Sequence, residues 1–303
     1  MTDSSQVYVR EVGPRDGLQH EQTWLDTADK LNWIEQLGEA GLTYIEITSF
    51  VSPSWIPALA DADEVARTLK KSPGVTYAAL VPNRKGLERA LLANIDEVAI
   101  FLSASETHNQ KNINADTESA LARLSRVAEE ARQSGKAVRG YLSMAFGCPY
   151  EGKVEVDEVE RLAERLFEMG VTELSLGDTI GIAGPKQIEA VISRLGRMIP
   201  LERLALHPHN TYGTGLANIY AAFQLGIRRF DGSTGGIGGC PYARGASGNV
   251  ATEDLVYLMQ TLGAKTGNDL VRLTSSAQWI EKRLGRPLPS SQLQLSKEEG
   301  RCL

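Results

Sequence analysis

Two histidines, His207 and His209, flank Pro208 at the end of the apolar run Leu204–His209, in a chain with only 4 histidines. If that run is a strand, residues two apart point the same way, so both imidazoles face one side. A lone histidine is more often a satisfied structural residue than a ligand; a His-x-His pair at a strand end favours metal binding. Asp16 could add a carboxylate and Asn249 an amide carbonyl. Two imidazoles with hard oxygens suit an octahedral Mg²⁺ or Mn²⁺ with positions open to substrate, whereas zinc favours more nitrogen and sulfur. Taken alone, Asp16 before Gly17 reads equally as a turn former.

Other reactive groups sit in similar places. Cys240 lies in Gly238-Gly239-Cys240-Pro241, a glycine-rich stretch that would put a thiol on a partly exposed loop. Glu46 lies inside Tyr44-Ile45-Glu46-Ile47, where a carboxylate is costly unless paired; Arg15 is the partner the neighbouring strand offers. Whether that pair is structural or positions substrate, the residues alone leave open. Asp178 follows another apolar run, in Gly177-Asp178-Thr179. Cys148 reads equally as a packed loop thiol, and Cys302 falls in the terminal tail.

These residues need elements to position them. Eight short apolar runs read as strands: Val7–Val12, Tyr44–Thr48, Val75–Leu80, Glu97–Leu102, Ala137–Met144, Thr172–Leu176, Leu204–His209 and Arg228–Ser233. Amphipathic segments alternate with them: Thr27–Ala40, Pro57–Lys70, Lys85–Leu92, Glu118–Gln133, Val156–Met169, Pro185–Met198, Leu216–Leu225 and Glu253–Leu262. Eight strand–helix units predict a closed (β/α)8 barrel of the TIM type, with chemistry at the carboxyl ends of the strands. The alternative, an open doubly wound sheet, usually carries a Gly-x-Gly-x-x-Gly turn after the first strand; here the turn reads Gly13-Pro14-Arg15-Asp16-Gly17. Residues 1–265 then form one catalytic domain, and 266–303 a short helical extension and tail. Every candidate above falls at a carboxyl end: Arg15 and Asp16 after the first strand, Glu46 in the second, Asp178 after the sixth, the histidines at the seventh, Cys240 and Asn249 after the eighth.

The bulk properties narrow the class. At 303 residues and 42% hydrophobic, the chain can bury a sizeable core. A net charge of −6 argues against a nucleic-acid partner. Three cysteines over this length do not make a disulfide framework, no window is apolar enough to span a membrane, and the start carries no signal-like stretch, so a cytoplasmic protein is expected.

Several motifs together resemble the hydroxymethylglutaryl-CoA lyase family. They are Val12-Gly13-Pro14-Arg15-Asp16-Gly17-Leu18-Gln19, Ile45–Pro53, Phe146–Gly152, Leu176–Gly181 and, longest and most specific, the stretch Gly235–Asn249 around Cys240. The resemblance runs from about Val7 to Leu270. It implies a (β/α)8 metallolyase, cleavage of 3-hydroxy-3-methylglutaryl-CoA to acetyl-CoA and acetoacetate, Mg²⁺ or Mn²⁺, an acyl-CoA substrate and a homodimer. It further implies Asp16, His207, His209 and Asn249 as metal ligands, Arg15 as a substrate contact, Cys240 as the catalytic thiol, and Glu46 and Asp178 as further functional acids. His207, Asp16 and Glu46 remain candidates for the base. Asn112, within Lys111-Asn112-Ile113-Asn114, corresponds to a segment near the thioester. The chain departs from the family pattern at Asn210, where Asp is usual, and at Ala115, where Cys is frequent. The rival readings are a lyase for a larger 3-hydroxy-3-alkylglutaryl-CoA, an acetyl-CoA-dependent condensing enzyme, and a silent acyl-CoA-binding barrel; the last should have lost ligands or the thiol.

Overall fold

The computed structural model describes residues 5–240 and 243–298, with side chains left undescribed for 240–247. Eight strands, β1 (Tyr8–Glu11), β2 (Tyr44–Ser49), β3 (Thr76–Leu80), β4 (Glu97–Ser103), β5 (Ala137–Ser143), β6 (Glu173–Asp178), β7 (Leu204–Pro208) and β8 (Arg229–Gly232), pair in parallel in chain order. β8 returns to β1, with Val9 opposite Phe230, and closes the barrel. Helices follow each strand: α1 (Thr27–Glu39), α2 (Ala62–Thr68), α3 (Arg84–Leu92), α4 (Glu106–Ile113), α5 (Thr117–Gln133), α6 (Val156–Glu168), α7 (Pro185–Leu195), α8 (Gly215–Gln224) and α9 (Thr252–Thr261). The main core lies between sheet and helices, where Trp33 and Leu37 of α1 and Leu162 and Leu166 of α6 meet the outer faces of the strands fully buried. The (β/α)8 expectation is met because β-branched runs buried on both faces need a helix layer outside them.

Local differences have local causes. The stretch Pro57–Lys70 is not one helix: a 3₁₀ turn at Pro57–Leu59 precedes α2. α4 falls where no helix is expected, because its sequence, ETHNQKNI, is polar up to its last residue, Ile113, and carries no apolar period. It is capped instead by Ser105, whose hydroxyl accepts from the His108 N–H, and it ends at Asn114 in the left-handed conformation. β7 stops at Pro208, so His209 lies just beyond the strand, bridged to Asn249. After α9 the chain adds two helices rather than one, α10 (Leu270–Leu284) and α11 (Ser291–Glu298). A short antiparallel pair, β9 (Gly239–Cys240) and β10 (Ala243–Ser247), rises beyond β8.

Candidate metal site

The turn after β1 is one turn of π-helix, Gly13–Gly17. The N–H groups of Arg15, Asp16 and Gly17 all point at the Val12 carbonyl. Such wide turns re-aim side chains and often mark functional sites. Here Arg15 and Asp16 are turned toward the barrel mouth, where both line a cavity of about 570 Å³.

Across that mouth stand the two histidines. Their rings lie 5.1 Å apart, with the Nε2 atoms 3.2 Å from one another. Ligand atoms of Asp16, His207 and His209 all fall within 4.8 Å of each other. The three fit a cation by their chemistry. His207 Nδ1 lies 3.1 Å from Asp231 Oδ2, so its N–H donates there and leaves Nε2 as a lone pair aimed at the cluster. Burial, and then the neighbouring His207, lower the pKa of His209 to about 3, which keeps its ring neutral. Burial alone would push the Asp16 carboxyl up, but Arg15 and both histidines outweigh it and hold it well below the usual range. One carboxylate and two imidazoles therefore converge on one point: His209 stays neutral, while at His207 burial is outweighed by Asp231 and Asp16 and the pKa is raised.

Asn249 belongs to this group by contact. Its amide nitrogen donates to Asp16 Oδ2 at 2.9 Å and to the Ile237 carbonyl at 3.1 Å. The close approach needs Gly238: at φ +114, a Cβ there would stand 2.7 Å from the Asn249 amide nitrogen. Because the nitrogen makes both contacts, the amide oxygen is the end left for a cation.

Arg15 divides its charge. One guanidinium nitrogen meets Asp16 Oδ1 at 2.6 Å and another meets Glu46 Oε2 at 2.7 Å, which is the pairing expected from the sequence. Tyr141 of β5 donates to the same Glu46 oxygen at 2.8 Å, and its ring lies 5.3 Å below the Arg15 guanidinium. Glu46 does not itself reach the cavity wall; Arg15 and Tyr141 do.

Asp178 keeps to its own loop. Its carboxylate accepts from the N–H groups of Ile182 and Ala183, while its neighbours Gly177 and Thr179 line the cavity. Burial raises its pKa to about 6, offset in part by those N–H donors. Asn112 of α4 lines the cavity at its outer end. The side chain of Cys240 lies outside the described residues, but its neighbour Gly239 lines the same cavity. Cys302 is also outside them. Cys148 is buried, with its sulfur 3.0 Å from Ser105 Oγ, and takes no part in the cavity wall. Asn210 turns its side-chain oxygen to the Gly215 N–H at the start of α8, a contact for which an amide serves as well as a carboxylate.

Sequence reasoning overlooked a buried network beneath the histidines. Arg139 of β5, fully buried, meets Asp231 Oδ1 at 2.6 Å and Glu173 Oε1 at 2.9 Å. Ser175 donates to the other Asp231 oxygen at 2.9 Å, so Asp231 is held from three sides when it accepts from His207. Glu11, at the end of β1, is likewise buried and accepts from Gly13 N, Thr234 N, Thr234 Oγ1 and Thr252 Oγ1, tying the turn that carries Arg15 and Asp16 to the β8 loop. A weaker form of the signal that singled out Glu46 was available: Glu11 and Asp231 each lie within a run read as a strand, though both runs also carry arginine.

Comparison with known proteins assigns the family. Residues 6–280 match the family model described as HMGL-like. The chain is 55% identical over 291 residues to the hydroxymethylglutaryl-CoA lyase YngG of Bacillus subtilis, covering 96% of this chain and 97% of that one. It is 49% identical to a 3-hydroxy-3-isohexenylglutaryl-CoA/hydroxymethylglutaryl-CoA lyase of Pseudomonas aeruginosa, covering 92% and 93%. An HMG-CoA lyase from Acinetobacter baumannii, solved in complex with coenzyme A and 3-methylmalate, superposes with a TM-score of 0.92 at 41% identity, covering 97% and 96%. With the family model spanning nearly the whole barrel and a relative 55% identical over 96% of the chain, the chain belongs to the HMGL-like family.

Proposed function

We propose that this chain is a divalent-cation-dependent lyase that cleaves 3-hydroxy-3-methylglutaryl-CoA to acetyl-CoA and acetoacetate. The observation that carries this reading is the convergence of Asp16, His207 and His209 beside the Arg15–Glu46 pair, in a chain 55% identical to a hydroxymethylglutaryl-CoA lyase. The coenzyme A complex of a relative supports acyl-CoA as the substrate class. The same reading takes the chain as a cytoplasmic homodimer, with residues 1–265 as the catalytic domain and 266–303 as an extension packed on it.

Asp16, His207, His209 and the Asn249 oxygen would hold Mg²⁺ or Mn²⁺; a cation so bound lowers the pKa of a hydroxyl that coordinates it. The rest falls to the side chains. Asp231 fixes His207 with its Nδ1 protonated, so Nε2 stays a lone pair. The C3 hydroxyl proton passes to Asp16, which lines the cavity and whose carboxylate keeps lone pairs beyond the one a cation would take. Glu46 sits behind Arg15 and aims it, and Arg15 stabilises charge building on a substrate oxygen as the carbon–carbon bond breaks. Cys240 then donates its proton to the α-carbon of the departing acetyl-CoA enolate, and its glycine-rich loop closes over the site to exclude water.

The test is direct. Purified protein with Mg²⁺ or Mn²⁺ and 3-hydroxy-3-methylglutaryl-CoA should release acetyl-CoA and acetoacetate in equal amounts. Cys240→Ala should lose most of that turnover while still binding Mn²⁺. No release with either metal would refute the reading, and a wild-type rate in Cys240→Ala would refute the thiol's role.

A further inference from the structure

The polar side chains beneath the barrel mouth close into a circuit. From His207 Nδ1 the first link reaches Asp231 at 3.1 Å, and from Asp231 Oδ1 the next reaches Arg139 at 2.6 Å. Arg139 donates a second N–H to the Tyr141 hydroxyl, and Tyr141 donates to Glu46 Oε2 at 2.8 Å. Glu46 meets Arg15 at 2.7 Å, and Arg15 meets Asp16 Oδ1 at 2.6 Å. Asp16 Oδ2 then stands 3.8 Å from His207 Nε2, across the point on which the ligand atoms converge. The circuit has two working arms. His207 and Asp231 serve the cation; Arg15 and Glu46 serve the substrate. Arg139 and Tyr141 join the arms on the side away from the cation.

Arg139 is placed to pass a displacement from one arm to the other. It is fully buried and spends three edges of its guanidinium on three strands: Glu173 of β6, Tyr141 of β5 and Asp231 of β8. Its base is pinned, because Glu173 is held in turn by Arg10 at 2.6 Å and Arg229 at 2.9 Å. Its face is pinned as well, 5.3 Å from the Tyr44 ring centre and 4.6 Å from that of Tyr141. A planar fork fixed in this way cannot tilt at one terminal nitrogen without moving the other, and a lysine, as one point charge, could not hold both partners. The Tyr141 oxygen accepts from Arg139, and its single proton goes to Glu46. Both residues are buried, so a partner lost here is costly to leave unreplaced.

We propose that Arg139 and the Tyr141 hydroxyl are positioning residues that tie the cation to the substrate arginine. The hydroxyl fixes the Arg139 fork, the fork fixes Asp231, and Asp231 fixes the His207 lone pair on the cation. In the other direction, a cation seated on Asp16 and His207 sets the aim of Arg15 from both ends of the circuit. One path runs directly through Asp16; the other runs through Asp231, Arg139, Tyr141 and Glu46. Losing one oxygen atom that bonds to no ligand should therefore weaken the hold on the cation. The inference rests on the metal reading above.

The experiment is a double-variant cycle on Mn²⁺ affinity without substrate, with free Mn²⁺ followed by electron paramagnetic resonance. Tyr141→Phe removes only the hydroxyl. Its Kd should be weaker by at least about threefold, less than the roughly 10–100-fold of a direct partner because it acts through two further residues. Tyr141→Phe combined with Asp231→Asn should bind within about twofold of Asp231→Asn alone, since the hydroxyl's influence passes through that carboxylate. Arg139→Lys keeps the charge and loses the fork, so adding Tyr141→Phe to it should likewise change nothing further. A wild-type Kd in Tyr141→Phe, with only its Tm lowered, overturns the proposal: the hydroxyl would then be structural. Losses that multiply in the double variant overturn it too, because the effect would then run through Glu46 and Arg15. If one of the two backgrounds does not fold by circular dichroism, the other decides. No Mn²⁺ binding by the wild type would refute the metal reading itself, and this inference with it.

Discussion

Asp231 shows how one side chain behind a ligand can govern a site. It touches His207 Nδ1, Arg139 and Ser175, and burial, which would raise its pKa, is outweighed by Arg139 and His207. The ionised carboxylate selects the His207 tautomer whose Nε2 can ligate. Asp231→Asn keeps the shape and removes the charge. Partners of this kind are worth about 10–100-fold in metal affinity, so Mn²⁺ titration of the variant should give a Kd weaker by that factor. An unchanged Kd would mean that the His207 ring is oriented by packing alone. The replacement of the usual acid by Asn210 carries no such expectation, because its oxygen is spent on the Gly215 N–H.

The loop after β8 is the element that completes the site, and it is held from below. Gly235 adopts φ +71, and a Cβ there would stand 2.4 Å from Leu288 Cδ1, so the loop is pressed against the connection between α10 and α11. Its N–H donates to both carboxyl oxygens of Glu253, the second residue of α9, at 3.0 and 3.1 Å. Burial raises the Glu253 pKa to about 8. The folded protein therefore binds a proton there that the unfolded chain releases near pH 4.5. Its contribution to stability is full below that pH and is lost as pH rises toward 8. Glu253→Gln, which stays neutral, should melt near the wild-type temperature at pH 5 and above it at pH 8, by thermal unfolding followed with circular dichroism. A Tm difference that does not change with pH would show that Glu253 is ionised at both.

At the scale of the molecule, the barrel and the helices beyond α9 are joined by buried contacts. Leu293 of α11 is fully buried, and Asp254 of α9 accepts from the backbone of Ser291 and Gln292. If α11 unfolds with the barrel, Leu293→Ala should lower stability by about 2–5 kcal/mol in one cooperative transition. Calorimetry checks this: a separate early transition, with the barrel's Tm unmoved, would make the extension an independent unit.

The eight strand runs and their alternation with helices were legible in the chain, because a strand buried on both faces must be an unbroken apolar run and its crossover helix must be amphipathic. The spacing of His207 and His209 and the placing of Arg15 against Glu46 were legible too, since strand periodicity and the cost of an unpaired carboxylate are local rules. α4 was not, for want of an apolar period. Nor were Asp231, Arg139, Tyr141 and Glu11 assigned, because their partners lie 92, 95 or more than 200 positions away in the chain and only closure of the barrel brings them together. The sequence by itself determined the fold and the ligand types. Tertiary structure decided which acid holds which imidazole, because His207 and Asp231 meet only once β7 and β8 pair, and Arg139 of β5 reaches Asp231 only inside the closed barrel.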